Sequence, residues 1–138
     1  MFDRKATYAC AYTHKEPSLD PEIARALDWL DERYAAQRIL VVTPTVESVR
    51  ASAVLTSRAS ELESVSADAL RGGYHWAGGR ALALWSIEGV LEELDRHPHI
   101  SALAVIPWRL SELAAWIRAR QPLDLLRTGN REDEPRKA

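Results

Sequence analysis

The chain has 138 residues, 46% of them apolar and 28% charged, and a formal net charge of −2. These values fit one ordinary soluble domain able to bury about two thirds of its unfolded surface, and they exclude attachment to nucleic acid through a global basic field. The single cysteine, Cys10, excludes an intrachain disulfide framework and a multi-cysteine zinc site, which suits a reducing cytoplasm; no segment approaches the length of a membrane span, and the N-terminal apolar stretch is too short for a signal-peptide core.

Residues 6–12 alternate small and aromatic side chains, with Tyr8, Cys10 and Tyr12 on one side, and read as a first strand. After a loop, Asp20-Pro21-Glu22 starts a helix. Asp caps, Pro lacks an amide hydrogen that this position does not need, and Glu suits the positive end of the helix dipole. The stripe Ile23, Leu27, Leu30, Tyr34 carries that helix to about residue 36. After the polar flank Arg38, Ile39-Leu40-Val41-Val42 is the wholly apolar, largely β-branched run of a strand buried on both faces. Thr43-Pro44-Thr45 ends it. A second helix is expected over 46–60, although Val49, Ala53, Val54 and Leu55 spread round its wheel, and 61–67 reads as either a short strand or the end of that helix.

The segment 71–79 holds four of the six glycines around Tyr74-His75-Trp76 and reads as a loop leading into a strand that begins at Arg80 and ends at Trp85. Ser86 caps a helix with the stripe Ile87, Val90, Leu91, Leu94, which His97-Pro98-His99 terminates. A strand over 101–107 and a helix carrying Leu110, Leu113, Ala114 and Ile117 follow. The expected fold is a three-layer α/β sandwich over 1–127, with a mainly parallel sheet of four or five strands and about four helices, followed by a disordered polar tail at 128–138.

Two functional readings follow from different residues. At 100° per residue, Trp29 lies about 120° from Ile23, and Trp116 stands in the same relation to Leu110, so both fall beside their core stripes. Tryptophans so placed are anchors for a protein partner or a second copy of the chain. On this first reading the protein is a non-enzymatic interaction protein or small subunit. The alternative is a small-molecule site, phosphate-bearing ligands included, at the carboxyl rim of the sheet, where loops converge and helix N-termini present free amides. His14, Thr43, Thr45, Ser86 and Arg109 would supply its polar contacts, and Tyr74, His75 and Trp76 would close over the ligand. Trp85 and Trp108 are expected to cap the core at the same rim.

No cofactor is implied. The glycine loop lacks the Lys-Ser or Lys-Thr of a phosphate-binding P-loop, since Gly79 is followed by Arg80-Ala81, and it precedes a strand where a dinucleotide fingerprint needs a helix. No metal site is implied either: His97 with His99, or Cys10 with His14, makes two ligands where a site needs more.

Overall fold

The computed structural model describes residues 8–13, 19–33, 38–44, 52–85, 88–107 and 110–125. In chain order the elements are β1 (Ala9–Tyr12), α1 (Leu19–Asp31), β2 (Ile39–Thr43), α2 (Ala53–Ser57), β3 (Leu62–Ser66), α3 (Ala67–Arg71), β4 (Gly79–Leu84), α4 (Glu88–Asp95), β5 (Ile100–Ile106), α5 (Ala114–Arg120) and β6 (Leu123–Asp124). Short 3-10 turns at Ala59–Glu61 and Leu110–Leu113 precede β3 and α5. No described helix is long and apolar enough to cross a membrane.

All six strands run parallel in the order β3-β2-β4-β5-β1-β6. The sheet thus has six strands where four or five were expected. The segment 62–66 resolves as a strand, and the sixth is the two-residue β6, too short for a hydrophobic pattern to announce. Val41 of β2 pairs with Leu82 of β4, and Ala81 of β4 with Leu103 of β5. Every residue of β2 is buried, as a strand covered on both faces requires.

Alternation along the strands divides the core in two. Ala11, Val41, Leu82, Leu84, Ala104 and Ile106 face Ile23, Leu27 and Leu30 of α1 and Leu55 of α2. Leu40, Val42, Ala83, Leu103 and Val105 face Leu70 of α3, Val90, Leu91 and Leu94 of α4, and Trp116 of α5. That partition follows from right-handed crossovers: connections leaving β1 and β2 run one way along the sheet, those leaving β3, β4 and β5 run the other, and each direction deposits its helices on one face.

The helices differ from expectation for local reasons. Helix α1 ends at Asp31, short of residue 36, where Arg33 N–H closes a turn onto the Leu30 carbonyl at 3.0 Å and Arg80 Nη1 donates to the same carbonyl at 3.2 Å. A cation on these carbonyls complements the negative end of the helix. Of the helix expected over 46–60, residues 46–51 lie outside the described residues; the described part holds the short α2, in which Leu55 is buried and the Ser52 hydroxyl caps by accepting from Leu55 N–H at 3.2 Å. Helix α3 was unforeseen; Ser66 caps it and Leu70 anchors it in the core. Tyr34, Val49, Ile87 and the tail lie outside the described residues.

Candidate functional site

Renumbered cyclically from β2, the strand order reads 2-1-3-4-6-5, a Rossmann-like doubly wound arrangement in which the chain's own first strand occupies the fifth place. Neighbouring strands whose connections leave on opposite faces include β2 and β4, and again β5 and β1. The connection from β2 leads to the α1 face and that from β4 to the opposite face, so their carboxyl ends, Thr43-Pro44 and Leu84-Trp85, stand where doubly wound sheets form their binding crevice.

Trp85 has φ +53°, the left-handed region, on a bulky non-glycine residue. Its backbone N–H donates to the Ile106 carbonyl at 2.6 Å, so the strain is held by one more rung of the β4–β5 ladder. Such a conformation costs about 1–3 kcal/mol and persists only where the surroundings impose it. The side chain is half-buried.

Of the five buried polar or charged residues described, four lie at this carboxyl edge, namely Thr13, Glu22, Thr43 and Ser52. Thr13 continues β1, its N–H donating to the Val105 carbonyl at 3.0 Å, and its hydroxyl is buried without a hydrogen-bond partner. A buried hydroxyl left unpaired costs about 1–3 kcal/mol. Glu22 stands in the first turn of α1 with Arg25 at 3.9 Å. The Ser52 hydroxyl donates to Asp20 at 2.6 Å and so ties the N-termini of α1 and α2 together. Asp20-Pro21-Glu22 was legible as a helix start, but the burial of Glu22 and the link to Ser52 depend on the distant approach of α2.

The expected rim residues divide. Thr43 is at the crevice; His14, Thr45, Ser86, Arg109 and the expected cap Trp108 lie outside the described residues. Tyr74, His75 and Trp76 are elsewhere. Their loop enters β4 at Gly79, and a strand of this length separates Gly79 from Leu84 by about 17 Å. The expected lid is thus at the amino edge and does not close over the rim, because a loop preceding a strand in a parallel sheet must lie opposite the loop that follows it.

At the amino edge the loop borders a groove of about 440 Å³ with Leu70, Glu93, His97 and His99. His97 organises it. Its Nε2 meets the Trp76 carbonyl at 2.8 Å, its Nδ1 accepts from His99 N–H at 3.1 Å, and its ring lies 4.7 Å from the Trp76 ring. These partners define the Nε2–H tautomer and occupy both ring nitrogens. Gly78, at φ +109°, leaves no room for a side chain, since a Cβ would sit 2.5 Å from His99 Cβ and 2.6 Å from its carbonyl oxygen. Among the described residues no three His, Cys, Asp or Glu side chains gather to hold a metal.

The two tryptophans expected at the surface are buried. Trp116 is 1% exposed, packed in the core and donating Nε1–H to Tyr8 Oη at 3.3 Å. Trp29 is 7% exposed, with the Arg33 guanidinium 3.9 Å from its ring centroid and bonded to its carbonyl at 2.8 Å. A wide apolar stripe takes in both rings. On Trp29, the arginine one turn later covers what the stripe leaves open.

Beneath Trp116 lies a charged tie. Arg120 donates Nε–H and Nη2–H to the two carboxylate oxygens of Asp95 at 2.8 and 2.7 Å, and Tyr8 Oη donates to the same carboxylate. Burial, and then the bond to Asp95, raise the Tyr8 phenol well above its ordinary range. Burial likewise pushes the neighbouring Cys10 thiol up to about 11.

No protein-family model, curated protein or solved structure matches this chain.

Proposed function

We propose that this protein binds a small molecule in the crevice between the carboxyl ends of β2 and β4. The observation that carries this reading is the left-handed backbone of Trp85 where β2 and β4 diverge, a strained residue at the carboxyl end of β4. Strain held in place at the edge where doubly wound sheets take their ligands is a mark of a built site. The Thr13 hydroxyl of the same edge adds to it, since it is buried without a hydrogen-bond partner among the described residues.

Trp85→Gly separates a binding wall from a core cap. Glycine adopts positive φ without cost, so loss of a strained wall leaves stability within about 1 kcal/mol of wild type. Truncating a packed core aromatic costs about 3–5 kcal/mol. The expected result is a variant as stable as wild type which, purified gently from the cells that make it, lacks the small-molecule mass seen on wild type by native mass spectrometry. A loss of 3 kcal/mol, or a wild-type protein carrying no such mass, refutes the reading.

A further inference from the structure

We propose that the groove at the amino edge binds a small alkylated ammonium ion, one whose positive charge is sheathed in methyl groups. The inference is independent of the carboxyl-edge reading. It starts from the open volume of about 440 Å³ that the loop after α3 encloses with the end of α4, a size in the range of small-molecule sites.

The walls of this groove are rings, and the rings are fixed. Tyr74 Oη donates to Glu63, and the Tyr74 backbone N–H donates to the Ala69 carbonyl at 3.1 Å. The Trp76 and His97 rings lie 4.7 Å apart, and the His97 and His99 rings meet edge-on at 6.1 Å. His97 is held in place because both its nitrogens are engaged. Trp76 is 5% exposed and backs the wall, while half-buried Tyr74 and exposed His75 and His99 present the more open ring surface. Ring faces attract a cation, and rings already ordered lose little freedom when one binds.

The charge of the groove points the same way. Among the described lining residues Glu93 is the one carboxylate, and none is lysine or arginine. Glu93 stands in the last turn of α4, which carries no basic residue, and His97 follows two residues past its end. The groove therefore lies at the negative end of a helix dipole, where a cation is favoured and an anion is not. Arg96 meets Glu93 at 3.1 Å, but the two side chains are 58% and 44% exposed, and a surface pair of this kind is displaced at little cost. Arg38, whose charge reaches Tyr74, is not a lining residue. A primary ammonium brings three N–H donors that each need an acceptor, and the one carboxylate is shared with Arg96. An alkylated ammonium brings the charge without those donors, and its methyl groups pack on the ring faces.

NMR titration of the full chain at pH 8, above the ordinary range of imidazole, tests the assignment with choline, its uncharged isostere 3,3-dimethylbutan-1-ol, and ethanolamine. Choline should shift the amide signals of residues 73–77, His97 and His99, and should bind about tenfold more tightly than either of the others. Glu93→Gln should bring choline to within about threefold of the isostere, and Arg96→Met, which frees the carboxylate, should tighten choline about twofold. Both substitutions fall on exposed side chains, and thermal melts establish that the variants remain folded. The inference is overturned if choline at about 10 mM shifts none of these amides, or if the isostere or ethanolamine binds as well as choline. It is equally overturned if neither Glu93→Gln nor Arg96→Met moves the affinity for choline.

Discussion

Removing Arg120 should unfold this protein more readily than removing any other ion pair described. Asp95 is 1% exposed and the Arg120 side chain 4%, and the two meet through a bidentate pair at 2.7–2.8 Å. Asp95 is also the last residue of α4, where the helix dipole disfavours a negative charge, so the guanidinium answers two penalties at once. In Arg120→Met the carboxylate keeps Tyr8 and loses its counter-charge. Breaking a buried pair from one side costs about 3–5 kcal/mol, a large part of a total stability of about 5–15 kcal/mol. With a urea dependence of about 2 kcal/mol per molar, the midpoint falls by roughly 2 M. Urea titration followed by tryptophan fluorescence reads this directly, because Trp116 lies against the network. Asp95→Leu combined with Arg120→Met removes both charges and should recover much of the loss, since apolar replacements of a whole buried pair are often neutral. Arg96→Met is the control: its partner Glu93 is at 3.1 Å, but both side chains are exposed, and the cost stays within about 0.5 kcal/mol. An Arg120→Met loss no larger than that of Arg96→Met, or a double variant worse than the sum of its singles, refutes the reasoning.

Gly78→Ala should destabilise by about 2 kcal/mol or more, from the positive φ together with the collision against His99, and chemical denaturation measures it. Ser52→Ala removes the α2 cap and the bond to Asp20, and a loss of about 1–2 kcal/mol is expected in the same assay. Lifting the Cys10 thiol from 9 to about 11 lowers its thiolate fraction at pH 8 about 100-fold, so iodoacetamide should label the folded protein at least that much more slowly than the urea-unfolded chain. Equal labelling rates would contradict its burial. Tyr8 and Cys10 both hold their protons more tightly when folded, so the unfolded chain releases them first and stability falls as pH rises through 9 to 11. Melting temperatures across that range, with Cys10→Ala flattening the first part of the decline, check the sign.

Element types were legible because they depend on neighbours in sequence. The apolar runs 39–42 and 102–106 read as strands buried on both faces, and Asp20-Pro21 as a helix start. Elements lacking a local signature were missed: β6 has two residues and α3 has five. Strand order was not legible at all. It follows from which crossovers pack on which face, a choice among non-local pairings that leaves no periodic trace in the chain.

The candidate site shows the same division. The rim was inferred from the rhythm of strand and helix, and Thr43 stands there. The sequence could not say that Tyr74, His75 and Trp76 would be carried to the opposite edge, because a loop's edge depends on the direction of the strand it enters. Off-stripe angles placed Trp29 and Trp116 at a surface, but burial is decided by what packs over a face, and Arg33 and Tyr8 do so from a following turn and a distant strand. What the chain determined by itself was a parallel α/β architecture, since alternation and apolar runs are properties of adjacent residues. The tertiary structure alone decided that β2 and β4 diverge, that polar side chains from β1, α1, β2 and α2 are buried at one edge, and that Trp85 is held in a left-handed turn, because each depends on segments brought together only when the sheet closes.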